Sequence, residues 1–451
     1  MSRAYDAIVI GGGQAGPFLA ARLAGAGQRT AMIERRHMGG TCVNDGCQPT
    51  KTMVASARVA YLARRAADFG VSTGPVGVDM AAVKARKDKI VLASREGLDS
   101  WMEGTENLSV LRGSAALTGP GSVEVNGIEI EGARIFLNTG ARAVVPGWAE
   151  GVPYLTNTSI LELDTLPRHL VIVGGSYVGL EFAQMFRRFG SEVTVLARGR
   201  LASREDGDVQ EAIEQILEGE GIRIVTGAGE MSAETRGEEI AVRHEKGEVT
   251  GSHLLLAVGR QPNVEDLRLE RAGVKLDGRG YIAVDDTLRT NVPHVYALGD
   301  VNGRGAFTHT SYNDFEIVSQ NLLDGADRRV SERVPAYAMY IDPPLGRAGM
   351  SEAQVRASGR EVLVAVRPMT KVSRATERAE TLGFMKVFAD ARTRRILGVA
   401  LLGIEADEVM QSLLEAMKAG TSVDTIIGTM HVHPTVSELV PTLLQDLKPL
   451  A

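Results

Sequence analysis

The sequence predicts an α/β fold: two Rossmann-like dinucleotide-binding domains followed by a C-terminal α+β domain. Three observations carry that expectation. An apolar strand, a glycine turn and a helix follow one another from residue 5 and again from residue 169, which makes two nucleotide-sized βαβ units. From about Ala336 the pattern changes to alternating strands and helices with no further glycine-rich turn. The length of 451 residues, at about 150 residues per domain, has room for three such bodies with ordinary cores.

Composition narrows the function classes. At 44% hydrophobic and 24% charged residues the chain is neither disordered nor fibrous. Fifty Lys and Arg against 56 Asp and Glu, with no basic block, argue against a nucleic-acid partner. The longest apolar runs, such as Val399 to Ile404, fall far short of the roughly 20 residues a membrane span needs, so no membrane partner is expected. The N-terminus MSRAYDAIVIGGG runs into a strand and glycine turn without the features of an export signal, and the expected location is cytoplasmic. Cys42 and Cys47 are the only cysteines, too few for a structural disulfide framework, and their closeness points to redox chemistry.

In the first unit, YDAIVI (residues 5–10) is the strand, residues 15–26 the helix and RTAMIE (29–34) the next parallel strand. Gly11, Gly13 and Gly16 fit G-x-G-x-x-G between strand and helix, where backbone N–H groups and the helix N-terminus can hold a pyrophosphate. Glu34, at the end of the next strand, can accept hydrogen bonds from a ribose diol, which favours an unphosphorylated ribose. The competing reading is that these glycines only permit close helix–strand packing.

The second unit reads HLVIVGG, SYVGLEFAQMFRRFG, SEVTVLA. Its fingerprint is Gly174, Ser176 and Gly179, with a serine whose hydroxyl can itself donate to phosphate. After the second strand come Ala197, Arg198, Gly199, Arg200 and Arg204, with no acid where an NAD-specific site would hold one. Arginines there suit a 2′-phosphate, so NADPH is expected over NADH; the alternative is a solvated turn followed by Glu205 and Asp206. Three later segments, ARIFLNTGA, HLLLAVGRQPN and HVYALGD, read as strands returning to the nucleotide domains. Beyond them, EVLVAVRP, GFMKVFAD and ILGVALLGI are strands and ADEVMQSLLEAMKAG a helix of the third domain.

The segment GGTCVNDGCQPTK constrains geometry. In an uninterrupted helix, residues five apart have Cα atoms roughly 8.6 Å apart, beyond the roughly 7 Å a disulfide tolerates. A Cys42–Cys47 bridge therefore requires a kink at Asn44, Asp45 and Gly46, all residues that turns use. Such a bridge closes a small ring and stabilises little, which favours a redox role over a structural one; two buried structural thiols are the alternative. Lys51, one helical turn past Cys47, can stabilise a thiolate. Glu181 is a candidate partner for Lys51, or else faces solvent. Near the C-terminus, HVHPTVSE offers His433 as a base, with Glu438 to fix its tautomer and His431 as a competitor. No metal ligands are assigned.

Together these segments resemble the flavoprotein disulfide reductases of the glutathione reductase and dihydrolipoyl dehydrogenase type, class I pyridine nucleotide-disulfide oxidoreductases, over nearly the whole chain. The resemblance implies an FAD-binding domain at 1–145 and 266–334, an NAD(P)H-binding domain at 146–265 and a dimerisation domain at 335–451. It implies a homodimer that reduces a small-molecule oxidant or disulfide. Glu34 would lie on the adenosine ribose of FAD and Asp300 on the ribityl or pyrophosphate region. The cofactor-binding set is completed by Gly11, Gly13, Gly16, Gly40, Thr41, Lys51, Thr139, Gly140, Gly174, Ser176, Tyr177, Gly179, Arg198, Arg204 and Gly259. Tyr177 either covers the flavin ring or simply packs. Cys42 is then the thiol that attacks substrate, Cys47 the one that contacts flavin, and His433, oriented by Glu438, serves the other subunit's disulfide.

Among the branches, SYNDFEIV, DPPLGRAGMSE and HVHPTVSE are most similar to the reactive-chlorine-resistance flavoproteins, relatives of mercuric reductase implicated in reducing hypothiocyanous acid and metal ions. VTVLARGRLASRED also looks like mercuric reductase, but the C-terminal cysteine pair of that family is absent. Glutathione reductase and dihydrolipoyl dehydrogenase activities are further alternatives. From other classes come a flavin-linked oxidase or dehydrogenase with incidental cysteines, and a non-catalytic FAD-binding redox sensor.

Overall fold

The computed structural model of the chain describes residues 3–450. The first unit forms a five-stranded parallel sheet in the spatial order Val295–Ala297, Ile135–Leu137, Ala7–Ile10, Thr30–Glu34, Leu108–Arg112. Strand Ala7–Ile10 is central because all four of its residues are buried, as a parallel sheet covered on both faces requires. The chain first adds strands on its Thr30–Glu34 side and later returns to add Ile135–Leu137 on the other, and this reversal opens a crevice beyond its carboxyl end.

The expected single strand over 5–10 is two. Arg3–Tyr5 joins Ile128–Gly132 in a separate four-stranded sheet, and Asp6 turns the chain between them. The cause is local: the Asp6 carboxylate accepts the Arg29 N–H at 2.8 Å, and the Asp6 N–H reaches the Arg29 carbonyl at 2.8 Å.

The second unit repeats the plan with Arg223–Val225, Glu192–Leu196, His169–Val173 and His253–Leu256, all parallel, and a three-stranded antiparallel layer over residues 231–251. The C-terminal region is a six-stranded antiparallel sheet ordered Ala336–Met339, Leu345–Gly349, Ile396–Leu402, Phe384–Asp390, Val362–Pro368, Lys448–Pro449. Helix Ala406–Ala419 lies so close to it that a Cβ on Gly346 would meet the Ala406 carbonyl at 2.5 Å.

One apolar cluster ties the parts together. Met53 and Ala57, from helix Cys47–Arg64, pack with Leu170, Ile172 and Val195 of the second sheet and with Met339, Leu345 and Leu402 of the C-terminal one. The helix carrying Cys47 is thereby fixed against two sheets at once. A buried ionic seam runs beside this core: Lys386 reaches Asp206 at 2.9 Å and Asp208 at 2.6 Å, while Arg347 pairs with Asp206 at 3.0 Å and Glu205 at 3.3 Å.

Candidate active site

The first fingerprint works through close approach. Gly11 has φ +107°, and a Cβ there would lie 2.3 Å from the Asn138 carbonyl oxygen; one on Gly16 would lie 2.2 Å from the Gly11 carbonyl oxygen. Helix Ala15–Gly25 begins without a side-chain cap, so the positive end of its dipole faces the groove, with the Gly16 N–H already on the Gly13 carbonyl at 2.9 Å and Pro17 carrying no N–H. Glu34 is nearly buried, and its two oxygens accept the Gly12 and Arg36 N–H groups, each at 2.6 Å. These bonds fix the carboxylate where a ribose diol would meet it. A cavity of about 660 Å³ extends from Glu34 past Gly11, Gly13, Gly40, Thr41, Thr139 and Gly140. Asp300 stands beside it, 3.7 Å from Arg260, whose guanidinium also binds the Ala141 carbonyl. Burial raises the Asp300 pKa.

The second fingerprint reproduces these contacts. A Cβ on Gly174, at φ +128°, would lie 2.2 Å from the Ala257 carbonyl oxygen, and one on Gly179 would lie 2.3 Å from that of Gly174. Ser176 is the exposed N-cap of helix Tyr177–Phe189 and makes no capping bond, so its hydroxyl is open. Arg198 and Arg204 are exposed, as is Gly259, which turns at φ +138°. Glu205 and Asp206 do not neutralise the arginines, because both are buried in the ionic seam with Arg347.

Between the two units lies the dithiol. Helix Gly40–Asn44 stops, Asp45 and Gly46 adopt non-helical angles, and a second helix starts at Cys47. The break falls where the geometry of a bridge requires it. Both cysteines are thiols here, within hydrogen-bonding reach of each other. The Cys47 thiol is brought down to about 6, chiefly by the hydrogen bond from Cys42 and further by the Thr308 hydroxyl and the Lys51 charge, against burial. The Cys42 thiol is pushed up by that same bond and by burial. One sulfur is thus poised as thiolate while the other keeps its proton.

Lys51 Nζ meets Glu181 Oε2 at 2.6 Å, and the other Glu181 oxygen accepts the Tyr340 N–H at 2.8 Å. The ammonium also lies 4.7 Å from the Tyr340 ring centroid. Glu181, 3% exposed, is therefore a buried partner and not a solvent-facing acid. Burial pushes the Tyr177 phenol up to about 12, against the nearby Arg260 charge, and its ring tilts against Phe307 with centroids 5.5 Å apart. At the far end of the chain, Glu438 accepts from His433 Nδ1 at 2.8 Å, and His433 is 73% exposed. No contact joins His433 to either cysteine of its own chain among the described residues.

The donor set suits FAD: an anion-binding helix start, a fixed carboxylate for a ribose, close backbone approach along the groove and a dithiol with a cation at its end. The profile of the pyridine nucleotide-disulphide oxidoreductases matches residues 5–314, and that of their dimerisation domain residues 335–444. The chain belongs to the pyridine nucleotide-disulphide oxidoreductases. This family uses FAD and NAD(P)H, and its members are enzymes.

Among relatives of this oxidoreductase, a probable pyridine nucleotide-disulfide oxidoreductase, RclA, of Escherichia coli K12 is 36% identical over 98% of this chain and 99% of the relative. A mercuric reductase of Bacillus cereus is 33% identical over 96% of this chain and 70% of its own, and a dihydrolipoyl dehydrogenase of Chlamydia muridarum 31% identical over 97% and 96%. The solved structure of the HOCl-induced flavoprotein disulfide reductase RclA from Escherichia coli superposes with a TM-score of 0.90 at 35% identity, covering 98% of this chain and 99% of that one.

Sequence reading did not single out Asn138, Arg260, Thr308 or Tyr340. Arg260 sits in the GRQPN run and Asn138 beside Thr139, so both had a local signal. Thr308, whose hydroxyl is 3.1 Å from Cys47 Sγ, had none.

Proposed function

We propose that this flavoprotein oxidoreductase is an NADPH-dependent reductase that uses the Cys42–Cys47 pair to reduce a small oxidised substrate of the reactive chlorine or hypothiocyanous acid type, or a metal ion. The observation that carries this reading is the arrangement around the dithiol: the helix breaks between the two cysteines, the Thr308 hydroxyl lies 3.1 Å from Cys47 Sγ and Glu181 holds the Lys51 ammonium nearby, which favours the Cys47 thiolate, while Cys42 needs a base to take its proton before it exchanges with substrate.

In this reading Glu34, the first fingerprint, Thr41, Thr139, Gly140 and Asp300 hold FAD, and Gly174, Ser176, Gly179, Arg198 and Arg204 hold NADPH. Bound FAD supplies the two-electron relay between nicotinamide and dithiol. Tyr177 excludes water from the face it covers, and Lys51, braced by Glu181, keeps a positive charge beside Cys47. Cys42 attacks the oxidised substrate, and the Cys42–Cys47 disulfide that closes the cycle releases the reduced product. His433, oriented by Glu438, takes and returns the proton at Cys42 of the other subunit in a homodimer. The reactive-chlorine assignment is supported by the kinship to RclA, described as HOCl-induced, and by a Cu(II) complex of that protein with a TM-score of 0.90 to this chain.

The test is NADPH consumption with hypothiocyanous acid, Hg(II), Cu(II), oxidised glutathione and lipoamide in parallel. Hypothiocyanous acid is expected to turn over fastest, and Cys42→Ser to keep FAD while losing that turnover. Fastest consumption with lipoamide or glutathione, or full activity in Cys42→Ser, would overturn the reading.

A further inference from the structure

Phe307 is the N-cap residue of helix Thr308–Leu323, and the next side chain, Thr308, touches Cys47 Sγ. The backbone of an N-cap residue sets where the first turn starts. Thr is stiff about χ1, so the direction of the Thr308 hydroxyl follows the position of that turn. Phe307 is extended, with φ −129° and ψ 154°; the Thr310 hydroxyl closes the turn on its N–H at 3.2 Å and its carbonyl at 2.7 Å, but ties the turn only to its own helix and not to the rest of the fold.

Its ring is held by three others. Tyr337 lies parallel to it, centroids 5.4 Å apart at 3°; His309 stacks at 5.4 Å and 13°; Tyr177 tilts against it at 5.5 Å and 35°. These separations lie in the attractive range for aromatic pairs. Each partner is anchored by contacts of its own. The Tyr337 hydroxyl donates to buried Glu205, His309 Nε2 bonds the Ala336 carbonyl at 2.6 Å, and Tyr177 opens the helix of the second fingerprint.

We propose that Phe307 is a positioning residue for the dithiol: the three-ring clamp on it fixes the turn from which Thr308 hydrogen-bonds Cys47. The ionisation of the redox thiol is thereby set from the seam between the second nucleotide unit and the C-terminal sheet. The clamp acts through Thr308 alone and touches neither sulfur. This rests on the reading of Cys47 as the redox thiol, so the test measures ionisation and not turnover.

The experiment is the pH dependence of Cys47 alkylation by iodoacetamide in the reduced, FAD-loaded protein, with the modified residue assigned by mass spectrometry. Thr308→Val gives the effect of losing the hydroxyl, an upward shift of the midpoint by about one pH unit, a tenfold change in the ionisation constant. Phe307→Leu is expected to shift in the same direction by a comparable amount. Tyr337→Leu removes the parallel ring and decides the matter if Phe307→Leu does not fold. Tyr337→Phe keeps the ring but loses its tie to Glu205, and should shift the midpoint less than Tyr337→Leu. An unmoved midpoint in the folded Leu variants, an unmoved midpoint in Thr308→Val, or an equal shift in Tyr337→Phe would overturn the proposal. A changed substrate preference would leave it standing, just as its failure would leave the Cys42→Ser result untouched.

Discussion

Lys51 and Glu181 stand 130 positions apart in sequence and 2.6 Å apart in space, and through them a buried carboxylate and an aromatic ring hold one positive charge beside a sulfur. The sign of that charge decides the chemistry. A cation favours the charged form of a neighbouring thiol, so its loss must raise the pH at which Cys47 ionises. With Cys47 near 6, turnover is expected to fall as pH drops through that value. Lys51→Met should move this acid limb to higher pH by about one unit, a tenfold change in thiolate fraction on the acid side. The check is kcat/KM against pH for both proteins, and coincident acid limbs would show that Lys51 acts elsewhere. At this scale the sequence singled out Cys42, Cys47, Glu34 and Lys51 as candidates because each sits inside a local pattern. Thr308 and Tyr340 arrive from distant segments, and neither lies in a pattern that marks it.

Elements of the fold repeat one device. Gly11 against the Asn138 carbonyl and Gly174 against the Ala257 carbonyl are the same contact in two sheets, and both could be read from glycine placement after a strand. The arginine loop after strand Glu192–Leu196 was harder to read, because Glu205 and Asp206 follow it directly. The structure draws both acids inward to Arg347 and Lys386, leaving Arg198 and Arg204 exposed and, among the described residues, without a carboxylate partner. Replacing Arg198 and Arg204 by Ala should therefore raise the KM for NADPH about tenfold or more while leaving that for NADH nearly unchanged, since each lost charge-assisted bond to a phosphate is worth about 1.5–3 kcal/mol. An unchanged NADPH-to-NADH ratio would refute the phosphate role. The seam itself can be tested separately. Lys386, 1% exposed, shares Asp206, Asp208 and Glu352, so Lys386→Met leaves buried Asp206 to Arg347 alone and takes the buried cation from the half-exposed Asp208, and should cost about 1–3 kcal/mol of stability, visible as a lowered Tm. A Tm equal to that of the unaltered protein would mean that the seam relaxes to admit water.

The whole molecule raises the question of where the proton comes from. His433 and Glu438 pair at the exposed end of the chain, Met430 and Val432 beside them are 95% and 76% exposed, and among the described residues no imidazole of the same chain lies against the dithiol. If the imidazole serves a partner's dithiol, subunits carrying Cys42→Ser and subunits carrying His433→Ala are each inactive alone. Exchanged into mixed dimers, they would regain activity, because one site then combines an intact Cys42 with an intact His433. Recovery after subunit exchange is the expected outcome; its absence would place the base within one chain.

The sequence by itself determined the two βαβ units, the close cysteine pair with the kink between them and the acid that ends the second strand, because each follows from short-range periodicity, glycine placement or the reach of a few bonds. Tertiary structure alone decided which cysteine is poised as thiolate, that Glu181 is buried against Lys51 and that the arginine loop stands uncompensated. Those outcomes depend on desolvation and on charges that converge from segments more than a hundred residues apart, and neither is encoded in the local order of residues.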